Sequence, residues 1–224
     1  MVHMRYRTLR LTGLAAMLGS TLAAWSPDFH EAATLLAARL TPRHMQTLLM
    51  AHAAELREGA RGQANDQVPT VEDVEEQFRL IVALSEEHKR PERLVLELGT
   101  LAHQVQLLTD PSAIHGSTPL REAFEAYADD RRSKLVLTRE PFWAVTAPLD
   151  PRPRLEAWAR LKFQRHQELL GCFDENTGRR LGAWDDLSVP FAQLELAYSN
   201  GVNATANIWI QLWRAVGDTW LAPD

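Results

Sequence analysis

Residues 96–116 read LELGTLAHQVQLLTDPSAIHG, an apolar segment with two histidines around a Thr-Asp-Pro sequence. Leucine and valine recur every three or four residues over 94–108, which predicts an amphipathic helix ending at the Asp-Pro pair of 110–111. Gly99 lies inside this helix, where glycine costs about 1 kcal/mol relative to alanine. We expect it to let another helix or a cofactor approach the backbone closely. His103 lies one turn later on the same face, either as a metal ligand or as a core histidine.

The same spacing of apolar side chains recurs through most of the chain, so helix is predicted nearly throughout. Thr-Pro at 41–42 and Pro91 are typical helix starts, and Thr70 with Asp73 resembles a capping box. The best strand candidate, RSKLVLT at 132–138, is weak. The predicted helices cover about residues 27–40, 42–58, 70–87, 91–108, 119–137, 155–170 and 189–216. The sequence therefore predicts an all-α fold, a single-domain bundle of about seven helices.

The first 24 residues, MVHMRYRTLRLTGLAAMLGSTLAA, have the layout of a secretory signal peptide. Three arginines precede an apolar run at 11–22 that is too short for a comfortable membrane span, and small residues follow. We expect cleavage near Ala24, so that residues 25–224 form a mature domain exported to the periplasm or secreted. The alternative is an uncleaved N-terminal anchor.

The net charge and composition of the chain exclude some classes of function. The 224-residue chain has a formal charge of −5; without the three arginines, 21 basic residues oppose 29 acidic ones and the mature charge becomes −8. Such a protein does not seek phosphate backbones by bulk charge, so nucleic acid is an unlikely partner. The single cysteine, Cys172, excludes an intramolecular disulfide and is expected to be a small buried hydrophobe. No membrane span is expected in the mature chain.

Two further segments carry groups that bind metals. After cleavage the chain would begin WSPDFH, and the amino group and carbonyl of Trp25 could chelate a zinc ion. His30 follows five residues later, at the start of a helix, as a further nitrogen donor. Asp66 lies in a loop after a helix, from which a carboxylate can reach a buried metal. Taken singly, these residues are more often an ordinary packed tryptophan, a surface or core histidine and a turn aspartate.

In this order the residues resemble the zinc-dependent phospholipase C superfamily, which also includes single-strand-specific zinc nucleases. Its members are secreted all-helical proteins that bind three zinc ions in a cleft. They hydrolyse phosphodiester bonds with a metal-activated water. Their signature helix reads Leu-Gly, then His, Asp four residues later, Pro and a second His. The segment LGTLAH at 98–103 matches the signature as far as its first histidine, and Pro111 falls at the family spacing.

The resemblance implies a ligand set spread over most of the mature chain. Asp66 would act both as a ligand and as the general base. His115 comes about two residues later than the family pattern places its next histidine. The metal ligands that the resemblance implies are Trp25, His30, Asp66, His103, His115 and Glu125.

Three positions depart from the family pattern. Leu107 replaces the aspartate that bridges two zinc ions, and Arg121 replaces the histidine expected four residues before Glu125. The second-segment histidine is absent, since only His88, at a predicted helix end, lies in that part of the chain. Asp110 could replace the lost carboxylate only if the helix continued, which the proline after it disfavours. Fewer than three zinc ions are therefore expected.

The leading hypothesis is an exported zinc-dependent phospholipase C-like protein with a reduced metal site, a candidate phosphodiesterase on phospholipid headgroups or another phosphodiester substrate. The alternative is a non-catalytic helical binding or structural module on the same scaffold. A third hypothesis is a bundle anchored in the membrane by residues 11–24, with no active site. Trp209, Trp213 and Trp220 near the C-terminus are expected in the core, with a lipid interface as the alternative.

Overall fold

Helices form almost all of the regular structure in the computed structural model, which describes residues 25–62, 68–86, 90–114 and 118–217. The predicted signal peptide lies outside these residues. The prediction of an all-α fold is confirmed. The helices are α1 (Pro27–Ala38), α2 (Arg43–Ala51), α3 (Ala53–Arg61), α4 (Val71–Glu86), α5 (Pro91–Thr109), α6 (Thr118–Arg131), α7 (Arg152–Leu170) and α8 (Val189–Val216). Two 3-10 turns (Arg132–Lys134 and Trp143–Val145) and an antiparallel hairpin of β1 (Phe173–Asp174) and β2 (Arg179–Arg180) complete the described residues.

Capping residues fix where the helices begin. Ser26 caps α1 by accepting a hydrogen bond of 3.2 Å from the Phe29 amide, and Pro27 follows it in the first turn. The predicted capping box of α4 is confirmed. The Thr70 amide donates to the Asp73 carboxylate at 2.8 Å, and the Asp73 amide donates to the Thr70 hydroxyl at 3.2 Å. The cap fixes where α1 begins, and it thereby positions the neighbouring residues of the candidate site that is described below.

The single helix predicted over 42–58 is two helices in the structure. His52 has φ −115° and ψ 42°, outside helical geometry, and it separates α2 from α3. No proline or glycine marks this position, so the sequence pattern did not show the break. The change of direction lets α3 lie along α5.

The contact between α3 and α5 is a backbone contact made through two glycines. A Cβ atom built on Gly99 would lie 2.4 Å from the Leu56 carbonyl oxygen, and one on Gly59 would lie 2.1 Å from the Leu96 carbonyl oxygen. Any larger residue would force the helices apart. The prediction that Gly99 permits a close helix contact is confirmed.

Helix α5 runs through the core and packs against α1, α3, α4, α7 and α8. Leu98, Leu101 and Val105 are fully buried along it. Trp209 on α8 is also fully buried, and its indole Nε1 donates to the Leu98 carbonyl at 3.2 Å. Trp209 is therefore a core residue, as expected, whereas Trp220 lies outside the described residues. None of the helices described is long and apolar enough to cross a membrane.

The segment RSKLVLT, the weak strand candidate, is not a strand, and the helix predicted over 119–137 ends at Arg131. Polar side chains of α8 instead hold the chain beyond the Arg132–Lys134 turn in extended form. Ser199 accepts from the Thr138 amide at 3.1 Å, and Asn203 donates to the Thr138 carbonyl at 2.8 Å. One turn further along α8, Asn207 accepts from the Ala144 amide at 3.2 Å. These bonds pair the backbone with side chains, so no partner strand is needed.

Candidate metal site and a buried polar cluster

Two histidines from distant parts of the chain lie against each other inside the protein. His30 in α1 and His103 in α5 have ring centroids 4.3 Å apart, with 60° between the ring planes. Their side chains are 0% and 3% exposed. These residues are called the histidine pair below. Because buried polar groups are normally hydrogen-bonded, the partners of the two rings decide what the pair can do.

Each ring of the pair is held by a hydrogen bond at Nδ1. His30 Nδ1 lies 2.7 Å from Gln106 Oε1, and His103 Nδ1 lies 3.1 Å from the Ala60 carbonyl oxygen. Since an amide or carbonyl oxygen only accepts, Nδ1 carries the proton and the lone pair is on Nε2. Gln106 is held in turn by donating to the Thr34 hydroxyl at 2.8 Å. Metal-bound histidines have this arrangement, with the second nitrogen donating to an oxygen.

The other nitrogen of His30 has no hydrogen-bond partner among the described residues. Its Nε2 is buried and unsatisfied. Burial lowers the pKa of His30 well below its ordinary value of 6.5, and the charge of His103 lowers it further, against the opposing effect of the hydrogen bond that His30 donates to Gln106. The ring is therefore neutral at neutral pH, which is the form that binds metal. A buried nitrogen lone pair beside a second imidazole fits one zinc ion.

Trp25 lies beside the histidine pair. Its indole is fully buried, with ring centroids 4.5 Å from Phe29 and 5.4 Å from His30. A Cβ on Gly201 of α8 would lie 3.5 Å from the indole, an ordinary van der Waals distance, so α8 packs directly against the ring. The side chain thus fixes the start of α1 next to His30. The role of the Trp25 amino group as a ligand depends on cleavage after Ala24 and stays a prediction.

Asp66 and His115 lie outside the described residues. The described chain nevertheless approaches the pair just before Asp66. Ala60, whose carbonyl accepts from His103, lies two residues before Gly62, the last described residue of that segment. The ligand roles of Asp66 and His115 stay predictions.

Apolar residues fill the positions next to the pair where the family signature has its aspartate and second histidine. Leu107 and Ala113 are 3% and 0% exposed and form one apolar cluster, against which Val68 packs. Three zinc ions therefore do not fit these residues. Across residues 25–62, 68–86, 90–114 and 118–217, no three or more His, Cys, Asp or Glu side chains are grouped to hold a metal.

Glu125, the predicted carboxylate ligand, is grouped with other charges and not with the histidine pair. Burial raises its pKa to about 7, the charges of Asp129 and Asp110 raise it further, and Arg121 opposes them. Arg121 is 5% exposed and stands where the family has a histidine. The Arg121 guanidinium thus partly compensates the negative charge of this carboxylate.

Asp110 ends α5 and turns away from helical geometry, as Pro111 predicts, with φ −79° and ψ 117°. It is completely buried. One carboxylate oxygen accepts from the Ser112 amide at 2.8 Å and from the Ser112 hydroxyl at 2.9 Å, while Oδ2 has no partner among the described residues. Burial raises its pKa to about 6, against the opposing effects of Ser112, Lys162 and Arg121. Asp110 therefore does not extend the metal-binding face of His103.

Sequence reasoning missed two residues of α7 that hold the end of α5. Lys162 Nζ donates to the Leu107 carbonyl at 2.9 Å, and His166 Nδ1 lies 2.8 Å from the Pro111 carbonyl oxygen. Both side chains are buried. The signal was the helical spacing of these positions relative to Leu155 and Leu169, which places a lysine and a histidine on the buried stripe of α7.

No family model matches the chain, and no curated protein matches it significantly. Among solved structures, the chain is similar to the alpha-toxin of Clostridium perfringens isolated from the avian strain SWCP. The TM-score is 0.59 at 14% sequence identity, over 88% of this chain and 64% of the toxin chain, so this chain spans about two thirds of that protein. The likeness shows the fold alone: a phospholipase C-like arrangement of helices.

Proposed function

We propose that this protein is an exported zinc-binding protein with a phospholipase C-like fold. One zinc ion is held by His30 and His103. Signal cleavage frees the amino group of Trp25. This amino group, the Trp25 carbonyl and the carboxylate of Asp66 complete the coordination. The three-zinc centre of the resembling family is not formed, and the protein acts by binding and not by hydrolysis at phospholipase rates.

The observation that carries the zinc site is the buried, unpartnered Nε2 of His30 in contact with the His103 ring. Leaving such a group unsatisfied costs about 1–3 kcal/mol. Gln106 and Ala60 hold the two rings by their Nδ1 atoms, and in His30 this tautomer leaves the Nε2 lone pair able to bind a metal. Both rings are thus fixed in orientation, and the buried Nε2 of His30 has no partner among the described residues.

The absence of hydrolytic power follows from the positions around the pair. In-line phosphoryl displacement by metals uses a clamp of two ions that stabilises both the attacking and the leaving oxygen. Leu107 provides no bridging carboxylate, and Arg121 provides no nitrogen donor for a second ion. A single bound zinc supplies a Lewis acid that polarises one oxygen ligand. Asp66 alone would then have to orient a water.

A weak phosphodiesterase acting on phospholipid headgroups is the second candidate function. The histidine pair favours it, because a zinc ion held there beside Asp66 would have both an activated water and a general base. The acidic charge of the chain makes nucleic acid the poorer substrate class.

Metal analysis of the exported and processed protein tests the proposal. We expect one zinc per chain by elemental mass spectrometry, on a chain whose N-terminus is Trp25. His103→Ala should lose the zinc, and His44→Ala, which changes an exposed histidine on α2, should keep it. A correctly processed chain without zinc would contradict the proposal, as would zinc retained by His103→Ala.

Hydrolysis of a chromogenic phosphodiester and of phosphatidylcholine vesicles separates the two candidate functions. We expect no zinc-dependent turnover from the wild type. Turnover that is lost in both His103→Ala and Asp66→Asn would establish the second candidate and reject the binding role as the whole function.

A further inference from the structure

A cavity of about 460 Å³ opens between the segment before α4, the end of α5 and the middle of α7. Its volume lies within the range of about 300–1,000 Å³ that is typical of small-molecule sites. The lining is almost entirely apolar and includes Val68, Leu108, Ala113, Ile114 and Phe163. Phe163 is 58% exposed, so an aromatic ring remains at the surface beside the opening.

Lys162 is the only charged residue among the described residues that line the cavity. Its side chain is 4% exposed, and its ammonium donates a hydrogen bond to the Leu107 carbonyl. None of the ion pairs within 4.0 Å among the described residues includes it, and Asp110 acts on it only from beyond that distance. A buried ammonium is normally paired with an anion, because desolvation costs several kcal/mol. Lys162 thus lines a cavity whose other described lining residues are uncharged.

We propose that this cavity binds a fatty acid, whose carboxylate pairs with Lys162 and whose acyl chain lies along the apolar wall. An amphiphile satisfies both halves of the lining at once, which neither a free anion nor a neutral hydrocarbon does. A carboxylate matches the single charge of one ammonium, whereas a phosphate monoester carries about −1.5 to −2 at neutral pH and would be only partly neutralised. The proposal does not depend on zinc, since neither histidine of the pair lines the cavity.

Calorimetric titration of the processed chain with submicellar palmitate tests the assignment, with hexadecanol and a lysophosphatidate of equal chain length as comparisons. We expect palmitate to bind with a stoichiometry of one and hexadecanol to bind at least tenfold more weakly. Lys162→Met should weaken palmitate at least tenfold and leave hexadecanol unchanged. Lys134→Met, the same change at an exposed lysine in the Arg132–Lys134 turn, should leave both unchanged.

A second variant keeps the test decisive if Lys162→Met does not fold. Ala159 lines the cavity, so Ala159→Phe should fill it and abolish palmitate binding, while its zinc content and melting temperature stay close to those of the wild type. Equal affinity for palmitate and hexadecanol, palmitate binding that survives both variants, or no palmitate binding by the folded wild type would overturn the proposal. Tighter binding of lysophosphatidate than of palmitate would overturn the carboxylate assignment. The zinc measurement on the same samples shows separately whether the metal proposal holds.

Discussion

Two buried regions of α5 place polar groups inside the protein in opposite ways. The region around His103 is called the first end below, and the region from Leu107 to Asp110 is called the second end. At His103 the side chains are polar, and hydrogen bonds to Ala60 and Gln106 orient two imidazoles with a ring nitrogen left unpaired. One turn later, Leu107 joins an apolar cluster, and the helix ends at a buried carboxylate, Asp110. Burial is nearly complete at both ends, so burial alone does not distinguish a metal site from a core.

Charge compensation explains how the second end can exist without a metal. The positive charge of Arg121 lowers the pKa values of Asp110 and Glu125, and that of Lys162 lowers the pKa of Asp110. Buried carboxylates need nearby positive charge, which a metal ion or basic side chains can supply. The comparison teaches that the buried carboxylates beyond His103 are accompanied by basic side chains, whereas the histidine pair is held by neutral hydrogen-bond partners.

The largest loss of stability is expected from a substitution at Gly99, in the contact that holds α3 against α5. Gly99→Ala places a Cβ atom 2.4 Å from the Leu56 carbonyl, against backbone that cannot move without separating α3 from α5. We expect the free energy of unfolding to fall by about 3 kcal/mol or more, measured by urea denaturation. Because Ala60 is on α3, zinc binding at His103 should weaken with it.

A glycine outside the helix contact provides the control. Gly171 ends α7 with helical φ −62°, and a Cβ there would lie 3.4 Å from its nearest neighbour, the Glu168 carbonyl oxygen. Gly171→Ala should change stability by less than about 1 kcal/mol, in the stabilising direction. A similar loss for both variants would show that the α3–α5 contact has no special role.

The buried carboxylate at the second end leads us to expect that folding stability depends on pH in an unusual direction. Asp110 has an ordinary pKa of 3.8 and a folded pKa of about 6, so between these values the folded protein holds a proton that the unfolded chain has released. Stability therefore falls as the pH rises from about 4 to about 6, by up to about 3 kcal/mol. Asp110→Asn keeps the oxygen that accepts from Ser112 and should remove this fall in denaturation curves recorded from pH 4 to 7.

The pKa of Glu125 is raised from 4.5 to about 7, but this side chain is only half-buried, so solvent screening should leave a smaller slope in the same experiment. Asp130→Asn, at an exposed carboxylate on α6, is the matched control and should leave the whole profile unchanged. An unaltered profile in Asp110→Asn would mean that Asp110 is ionised in the folded protein and is directly paired with a cation.

The fold could be predicted from the sequence because it depends on periodic and local signals. Apolar spacing, the Thr70–Asp73 capping box and helix-starting prolines located the helices. The break at His52 and the extended segment after the Arg132–Lys134 turn could not be predicted. Both arise from tertiary contacts, with α5 in one case and with polar side chains of α8 in the other, and neither leaves a local pattern.

The candidate site was predictable only through residues that a known motif contains. The motif pointed to His30 and His103, which the structure brings together, but not to Gln106, which holds His30. Lys162 was also missed, because a lysine on a predicted helix is usually solvated and its burial depends on how α7 packs against α5. Partners that orient a site come from packing, which a single sequence does not show.

Gln106 therefore provides a sharper test of the first end. Gln106→Met removes the oxygen that accepts from His30 Nδ1, so the ring loses its fixed tautomer. We expect zinc affinity, measured by competition with a chelator, to fall about 10–100-fold. Gln106→Glu, which retains an acceptor, should keep affinity within about threefold of the wild type. Gln164→Met on the exposed face of α7 should have no effect, and a similar loss there would point to a general loosening of the fold.

The smallest effect on stability is expected for the surface ion pairs that join α4 and α7. Arg152 on α7 contacts Glu72 at 3.1 Å and Glu75 at 2.5 Å on α4, and its side chain is 40% exposed. Exposed ion pairs are worth about 0–1 kcal/mol, because solvent screens them and side-chain entropy opposes them. Arg152→Ala should therefore lower stability by at most about 1 kcal/mol, and less in 1 M salt. A loss of several kcal/mol would show that α4 and α7 are held together mainly by charge and would contradict the view that their apolar contacts, which also wall the cavity, dominate.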